Sequence, residues 1–564
     1  MSEEKAARPA WLRYLPAVVV LAVVVGALAF ASGGGDDGGD DDVAAPDDGG
    51  STPVDGPPAL AAFEGEDPLG APDCDRDTGR LMIPMVYAPN CVPLWEEGRD
   101  NGGATYQGVT EDEIKVAIYI SPDNAEASAA VEDMVGQDLP TDEETDTDRQ
   151  RVFDALNALW ETYGRTVSYE LLHATGTATD DAAAKADAIR AAEEMDVFAV
   201  LGGPLGTKAF AEELAAREVV CFCAEAYPAE RYEEWDPYIW SSGMSSTFMA
   251  SYIADLVESL AGQPAEHAGE ALQSTERKFA LVRGDTPDDA YEESAELVIE
   301  ELSSRGIEVI DQEYSFEFAT AQEQSGTFVA RMKDAGVTSI IFSGDAFMPY
   351  FLTTAATAQE WFPEWIMTGS GLVDTAAASR SYDQRQWEHA FGISALLARV
   401  DRAVTEDEVS FIDWYDDTEF ESLPAELATA PTFFNGVHLA GPNLTPETFR
   451  DGLFSFEPTG GDITNWGVSY GTETWGRTDF SGADDITLIW WDADAEGPHE
   501  VQEEGETGRG LWRYVDGGRR YGPGELAGAD HSPFFSEEGA TLFLSERPAG
   551  DLPPAYEPRQ SRTG

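Results

Sequence analysis

The sequence predicts an α/β protein of two doubly wound parallel-sheet lobes joined by a hinge. The middle of the chain alternates short apolar, often β-branched segments with helical segments, a pattern typical of parallel sheets covered on both faces. The alternation pauses after Trp240 and resumes at Arg277, which indicates two units. Beyond the N-terminal region about 450 residues remain, a length that can supply two or three hydrophobic cores.

The elements of this alternation can be placed along the chain. The predicted strands are Ile114–Ile120, Val167–Leu172, Val197–Leu201, Val219–Phe222, Phe279–Val282, Ile307–Ile310 and Ser339–Phe342. The predicted helices are Asp181–Glu194, Thr207–Arg217, Ser245–Leu260, Ala290–Arg305 and Ser325–Ala335. Parallel strands joined in this way take right-handed crossovers. We expect the chain to enter the second lobe near Gly243 and to return near Gly369.

The N-terminal 31 residues have the features of an export signal. Three basic residues among the first 13 precede the apolar run Ala17–Ala31, which is short for a membrane span. Ala29-Phe30-Ala31 fits a signal-peptidase site, so we expect secretion with cleavage near Ser32. A single uncleaved membrane anchor remains the alternative. The tract Gly33–Pro58 consists mostly of Gly, Asp and Pro and predicts a solvated linker.

The charge of the chain limits its partners. With 107 acidic and 34 basic residues, the net charge is −73. This balance argues against binding nucleic acid or an anionic membrane through bulk electrostatics. It favours a protein adapted to high salt, where salt screens the repulsion between carboxylates. An acidic secreted protein without such adaptation is the simpler alternative.

The four cysteines form two pairs along the chain. Cys74 and Cys91 bracket a loop and predict a disulfide in an exported protein. Cys221 and Cys223 share one face of a predicted strand, where two buried thiols are the first expectation and a strained bridge is the alternative. None of the six histidines lies at ligand spacing, so the sequence predicts no metal or other cofactor.

Two short motifs resemble catalytic or metal sites without the context these need. Gly467–Gly471 matches G-x-S-x-G, but no apolar strand precedes it and no helix follows, so it predicts a turn. Asp492–Gly497 is similar to a calcium loop without flanking helices and predicts a β-turn after a strand. Because no coherent catalytic set is present, the chain is predicted not to be an enzyme.

Several phrases resemble a known family. Gly108–Ile120 reads G-V-T-E-D-E-I-K-V-A-I-Y-I and resembles the opening of branched-chain amino-acid-type solute-binding proteins of ABC importers, with Ala117 where Gly is usual. Segments that resemble the actinobacterial extracellular ligand-binding proteins are the Cys74–Cys91 loop, Leu439–Thr448, Asp485–Gly497 and Leu511–Pro523. The resemblance covers roughly Gly108–Gly497 and implies the type 1 periplasmic binding fold.

This fold implies a division of the chain. We expect a signal peptide or anchor (1–31), an acidic linker with the disulfide loop (32–107), the first part of lobe 1 (108–243), lobe 2 (244–368), a return to lobe 1 with closing segments (369–497) and a Gly/Pro-rich C-terminal extension (498–564).

The resemblance also implies a function. The implied protein is an extracellular or cell-surface monomer that captures a small polar solute between its lobes and delivers it to ABC permease subunits. An amino acid, amide, peptide or carboxylate is the expected solute class. The alternative is a membrane-anchored sensory or adhesive ectodomain with the same cleft.

Ligands of doubly wound sheets bind beyond the carboxyl ends of the strands. Gly202–Lys208 follows a strand and opens a helix, so its N–H groups can receive a carboxylate, or it is a tight turn with Thr207 as a cap. The resemblance implies ligand contacts from Gly203, Thr207, Ala224, Glu225 and Tyr291. Ser370 stands where the family usually has an acidic residue that binds an amine, and Asp345 is the expected substitute.

Overall fold

The computed structural model describes residues 57–63, 66–96, 98–121, 142–224, 226–285, 290–315, 318–401, 410–416, 429–498, 507–527 and 534–558. The predicted signal and the acidic linker up to residue 56 lie outside these ranges. Within them, no helix is both long enough and apolar enough to cross a membrane.

The first lobe is built on a five-stranded parallel sheet. Its strands are β1 (Glu113–Ile120), β2 (Thr166–His173), β3 (Ala199–Leu201), β4 (Val220–Phe222) and β5 (Ile239–Trp240), in the order β2-β1-β3-β4-β5. β3 and β4 are apolar and completely buried, and so is the centre of β1 (Val116–Ile118), because helices cover both faces of the sheet.

The second lobe is built on an eight-stranded mixed sheet. Its parallel part has the order β7-β6-β8-β9-β10, and three antiparallel strands extend it beyond β10. The strands are β6 (Phe279–Asp285), β7 (Val309–Ser315), β8 (Ser339–Ser343), β9 (Glu364–Met367), β10 (Ala390–Ser394), β11 (Ile486–Pro498), β12 (Thr507–Tyr514) and β13 (Arg520–Tyr521).

Thirteen α-helices lie within the described residues. They are α1 (Asp142–Leu159), α2 (Asp181–Ile189), α3 (Ala209–Ala216), α4 (Ala229–Glu234), α5 (Ser246–Leu260), α6 (Ala290–Ser304), α7 (Phe318–Asp334), α8 (Met348–Ala358), α9 (Ala376–Ser379), α10 (Gln384–Trp387), α11 (Phe411–Asp416), α12 (Ala430–Ala440) and α13 (Pro446–Phe454). A π-helical turn, Arg190–Glu194, continues α2, and short 3-10 helices cover Pro58–Phe63, Pro68–Gly70 and Val515–Gly518.

Local sequence signals set several helix boundaries. α5 begins after Ser245, whose side chain accepts a hydrogen bond from the Phe248 N–H, and its apolar residues face the second lobe's core. α13 begins with a capping box in which Thr445 and Thr448 exchange hydrogen bonds with each other's backbone N–H groups.

Three segments join the lobes. The first (241–245) and the third (481–485) run side by side, with the Gly482 N–H donating to the Ser241 carbonyl at 3.0 Å and the Ser241 N–H donating to the Phe480 carbonyl at 3.0 Å. The second connects β10 to α11 and passes through residues 402–409, outside the described ranges. A hinge made of three such crossing segments lets the lobes move as rigid bodies.

A buried ion pair fixes this hinge. Arg520, on β13, donates from Nε and Nη2 to Asp485 Oδ1 at 2.9 and 2.8 Å. Its Nη1 also donates to the Leu396 carbonyl at 2.8 Å, which ties the second crossing to the third. The Gly467 N–H donates to the other carboxylate oxygen of Asp485 at 2.8 Å. Because both charges are paired and hydrogen-bonded, their burial is compatible with a stable hinge.

The lobe boundaries differ from those that the sequence analysis assigns. Residues 369–394 remain in the second lobe, because β10 continues the parallel sheet beside β9. β11 and β12, assigned to the return segment and to a C-terminal extension, also belong to that sheet. The return to the first lobe is made by residues 411–416 and 429–480, whose helices pack in the core of the first lobe. In the sequence, the T-G-S-G-L turn at 368–372 suggests the end of the second lobe's alternating strands and helices. In the structure this turn belongs to the connection between β9 and β10 of the same sheet.

The last described segment, residues 534–558, forms a C-terminal strap over both lobes. Leu544 pairs with Val400, beside the second crossing. Asp551 Oδ2 accepts hydrogen bonds from the Thr464 backbone N–H and Oγ1 at 3.1 and 3.0 Å. Tyr556 donates to Asp75 at 2.8 Å, in the disulfide loop. The strap therefore runs from the second lobe across the hinge to the first.

The predicted strands and helices of the alternating region are confirmed, with ends shifted by a few residues in most cases. The helix predicted for Ser325–Ala335 is longer than expected, because α7 already begins at Phe318. The Cys74–Cys91 disulfide is present, with the two Cα atoms 5.6 Å apart. It closes a small satellite core with Ala71.

Candidate functional site

The carboxyl ends of the parallel strands of both sheets mark a candidate binding cleft. In the first lobe the chain leaves β3 and β4 for α3 and α4, and in the second lobe it leaves β6 and β8 for α6 and α8. Helices of the two lobes meet here: Lys208, just before α3, and Arg231, on α4, both contact Glu293 on α6. The cleft is therefore bounded by the loops that the strand-end rule selects.

The β3–α3 loop is a tight turn with two left-handed glycines, Gly202 (φ 88°) and Gly206 (φ 83°). Between them Gly203 is buried, and a Cβ at this position would lie 3.3 Å from the Phe210 ring and 3.8 Å from the Ala224 backbone N. A side chain at Gly203 would therefore press on the Phe210 ring, whereas the contact with the Ala224 backbone N would be an ordinary one.

Thr207 has a structural role in this loop. Its side chain has no exposed surface, and Oγ1 donates to Asp181 Oδ1 at 2.7 Å while accepting from the Ala209 N–H at 3.1 Å. The hydroxyl thus joins the starts of α2 and α3. The sequence analysis gives Thr207 as a possible helix cap, but it lies one residue before the N-cap position of α3. Its hydroxyl already makes hydrogen bonds within the first lobe.

The β4–α4 loop begins with a disulfide. Cys221 and Cys223 are bonded, with their Cα atoms 5.2 Å apart, so the first expectation of two free thiols is wrong and the alternative of a bridge is right. The Cys223 N–H donates to the Trp240 carbonyl at 3.1 Å, which keeps this end of β4 in the sheet. Ala224, the next residue, is exposed, and Glu225 lies outside the described residues.

In the second lobe Asp345 organises the start of α8. Oδ1 accepts from the Phe347 and Met348 N–H groups at 2.6 and 3.0 Å, and Oδ2 accepts from the Tyr314 hydroxyl at 2.6 Å. Burial raises the pKa of Asp345 above its usual value, against the opposing effect of these hydrogen bonds. Each oxygen already has a partner, so a ligand amine would have to share Asp345 with the protein.

Ser370 joins the loops that follow β8 and β9. Its Oγ accepts from the Gly344 N–H at 2.9 Å and lies 3.1 Å from Thr368 Oγ1. Gly371 is left-handed (φ 57°), and a Cβ there would lie 2.0 Å from the Gly344 carbonyl oxygen. The two loops therefore form one compact edge, in which Ser370 is half-buried.

Tyr291 is the second residue of α6, as predicted, but its side chain lies outside the described residues. Glu293, two positions further along the same helix, is described. Its Oε1 accepts from Lys208 Nζ and from Arg231 Nη2, both at 2.8 Å, and Oε2 accepts from Arg231 Nε at 3.2 Å. Partial burial raises the pKa of Glu293, but the hydrogen bonds and charges of Arg231 and Lys208 outweigh it and hold this pKa below its usual value.

Gly203, Ala224, Asp345 and Ser370 lie in loops that follow the carboxyl ends of strands, and their contact with a solute stays a prediction. Sequence reasoning missed Lys208, Arg231 and Glu293. A charge-pair search could not have found them, because with 107 acidic residues nearly every cation has a carboxylate nearby in the sequence. The usable signal was positional, since each of the three lies at or near the start of a helix that follows a strand.

The two motifs judged weak have structural roles. Ser469 of the G-x-S-x-G motif is buried and donates to Thr474 Oγ1 at 2.6 Å. Asp492 accepts from the Asp494 and Ala495 N–H groups, both at 3.0 Å, in a bulge of β11, whereas the sequence predicts a β-turn there. Among the described residues, no group of three or more His, Cys, Asp or Glu side chains could hold a metal ion.

The two doubly wound lobes, three crossing segments and interlobe cleft are the architecture of the type 1 periplasmic binding fold, as the sequence predicts. No protein-family model matches the chain, and no curated protein matches it. Solved structures do match, and those described below are substrate- or solute-binding proteins of ABC transporters, the family that the sequence motifs resemble.

One is the fatty acid ABC transporter substrate-binding protein from Thermomonospora curvata, with 15% identity, a TM-score of 0.49 and coverage of 77% of this chain and 98% of that chain. Another is the substrate-binding protein from Aeropyrum pernix, with 11% identity, a TM-score of 0.48 and coverage of 71% and 94%. A third is the R. palustris protein in complex with 4-hydroxybenzoate, with 14% identity, a TM-score of 0.44 and coverage of 71% and 97%.

Proposed function

We propose that this protein captures a small polar solute between its two lobes and delivers it to ABC permease subunits. The observation that carries the proposal is the cleft itself. Helices that follow the parallel strands of both sheets meet beside a three-segment hinge, where side chains of both lobes contact one another through Glu293. Such a hinge permits closure around a bound molecule.

The proposed protein is an extracellular or cell-surface monomer and not an enzyme. Export is supported by the apolar N-terminal segment and by two disulfides, which persist in oxidising compartments. Amino acids, amides, short peptides and small carboxylates are the proposed solute class. This class is the one that the resemblance to branched-chain amino-acid-type solute-binding proteins implies.

A thermal-shift screen tests the proposal. A ligand that binds the folded state raises the melting temperature by an amount that grows with the ratio of its concentration to its Kd, and a binding titration of each hit then shows whether the site saturates. We expect at least one saturable hit among amino acids, amides, short peptides and aliphatic or aromatic carboxylates. Because both Asp345 oxygens have protein partners and Ser370 is neutral, we expect hits outside leucine, isoleucine and valine. The absence of any saturable hit would contradict solute binding, and tight binding of leucine would contradict the expectation that the hits lie outside leucine, isoleucine and valine.

A further inference from the structure

One carboxylate links the two lobes across the cleft. Glu293 belongs to α6 of the second lobe, and its two ion-pair partners belong to the first lobe, Lys208 at the start of α3 and Arg231 on α4. Arg231 contacts both oxygens of Glu293, through Nη2 at 2.8 Å and Nε at 3.2 Å. Such two-point contact between a guanidinium and a carboxylate is stronger and more directional than a single ion pair.

The surroundings of Glu293 make this contact more than an incidental surface pair. The side chains of Lys208, Glu293 and Arg231 are 21%, 22% and 32% exposed, so water and salt screen their attraction only in part. Two cations also converge on a single carboxylate in a chain with three times as many acidic as basic residues. Arg231 also pairs with Glu234 of its own helix at 2.9 Å, so the two cations and two carboxylates balance one another and Lys208 and Arg231 both remain directed at Glu293.

The topology determines what the contact does. Lys208 and Arg231 follow strands of the first sheet, whereas Glu293 follows β6 of the second sheet, so a rotation about the hinge moves them apart. We propose that Glu293 is an interlobe latch, the contact that keeps the lobes together when no solute is bound. This inference goes beyond the proposed function and needs no solute for its test.

Small-angle X-ray scattering of the ligand-free full-length protein tests the latch. Glu293→Gln keeps the size of the side chain and removes the charge. At low salt we expect the ratio of open to closed molecules to rise about fivefold, the factor that corresponds to ~1 kcal/mol for a good ion-pair network. Opening would be measured as a larger radius of gyration of the variant. Circular dichroism would show that the variant keeps its fold.

Glu296→Gln is the matched control, because Glu296 lies on the same helix, is exposed and makes no ion pair among the described residues. Lys208→Met is a second test from the opposite lobe and should shift the scattering in the same direction. In molar KCl the difference between Glu293→Gln and the unchanged protein should shrink. The latch is contradicted if Glu293→Gln and Lys208→Met scatter like the unchanged protein at low salt, or if Glu296→Gln opens the molecule equally.

Discussion

At the residue scale, a polar side chain that the sequence predicts to bind solute can instead form its hydrogen bonds with other groups of the protein. Thr207 connects Asp181 to the Ala209 N–H and has no exposed surface. Asp345 likewise holds the start of α8 and the Tyr314 hydroxyl. Residues of this kind shape the cleft by fixing the loops around it, and their substitution should affect stability before it affects affinity.

We therefore predict that Thr207→Ala lowers the free energy of unfolding by about 1–3 kcal/mol, because it leaves Asp181 and the Ala209 N–H without this partner. Thr207→Ser, which keeps the hydroxyl, should lower the free energy of unfolding clearly less than Thr207→Ala does. Thermal or urea unfolding measures both. If Thr207→Ala leaves stability unchanged and weakens solute binding, the hydroxyl contacts the solute as the family resemblance implies.

Asp484, in the third crossing, gives the hinge a predicted pH dependence. Burial raises its pKa to about 7, although the Trp475 indole N–H donates to Oδ1 at 2.8 Å. The folded protein therefore holds this proton more tightly than the unfolded chain does. The corresponding stability is complete below about pH 4 and is lost as the pH rises towards 7.

Relative to the unchanged protein, Asp484→Asn should gain stability between pH 4.5 and pH 8, by roughly 2–4 kcal/mol at 1.36 kcal/mol per pKa unit. Comparing the two proteins at each pH cancels the titration of groups distant from Asp484, and the pKa of Asp479, which the Asp484 charge helps to raise, should fall in the variant. A difference in unfolding free energy that does not change with pH would show that Asp484 titrates normally.

At the scale of elements, the sequence predicts strands and helices well where periodicity and burial agree. β1, β6 and β8 are short apolar runs, and helix patterns such as Ser245–Leu260 continue to a recognisable cap. The sequence fails where the same local pattern fits two topologies. The turn after β9 resembles the end of the second lobe, and only the pairing of β10 with β9, where the Trp365 N–H donates to the His389 carbonyl at 3.1 Å, shows that the sheet continues.

The candidate site was predictable only in part for a related reason. Strand ends select the loops, and Gly203, Ala224, Asp345 and Ser370 are found in them. Whether a side chain is available to a solute depends on hydrogen-bond partners that are distant in the sequence, such as Asp181 for Thr207 or Tyr314 for Asp345. The interlobe contact of Glu293 depends on the arrangement of both lobes and has no local signature.

The disulfide loop is the element with the clearest stability prediction. The Cys74–Cys91 bond closes a loop with a sequence separation of 17 and lies in the small core that also contains Ala71. Replacing both cysteines by serine should cost about 3 kcal/mol in the chain-entropy model. Urea unfolding of this variant measures the loss, and peptide mapping without reductant should find Cys74 and Cys91 linked in the unchanged protein. A variant of unchanged stability would show that the loop is held by other contacts, such as the bond between Tyr556 and Asp75.

At the scale of the whole molecule, the charge of −73 should govern stability through self-repulsion. Salt shortens the Debye length from about 10 Å at 0.1 M to about 3 Å at 1 M, so it screens distant carboxylates while leaving close pairs partly intact. We predict that the melting temperature rises from dilute buffer to molar KCl. A flat or falling curve in differential scanning calorimetry would leave the acidic surface without this explanation.

Capture of a solute between the lobes is the central claim, and filling the cleft tests it most directly. Ala224 is exposed at the end of β4, next to Gly203. Ala224→Trp should reduce the affinity for a solute found by the thermal-shift screen at least about tenfold, while the melting temperature without solute changes by no more than about 2 °C.

The matched control is Ala186→Trp, an exposed alanine in the middle of α2, which should leave the affinity unchanged. The measurement is a calorimetric titration of each variant with the same solute. Loss of affinity in Ala224→Trp alone supports binding in the interlobe cleft. If Ala224→Trp binds the solute as tightly as Ala186→Trp and the unchanged protein do, the solute does not bind between the lobes.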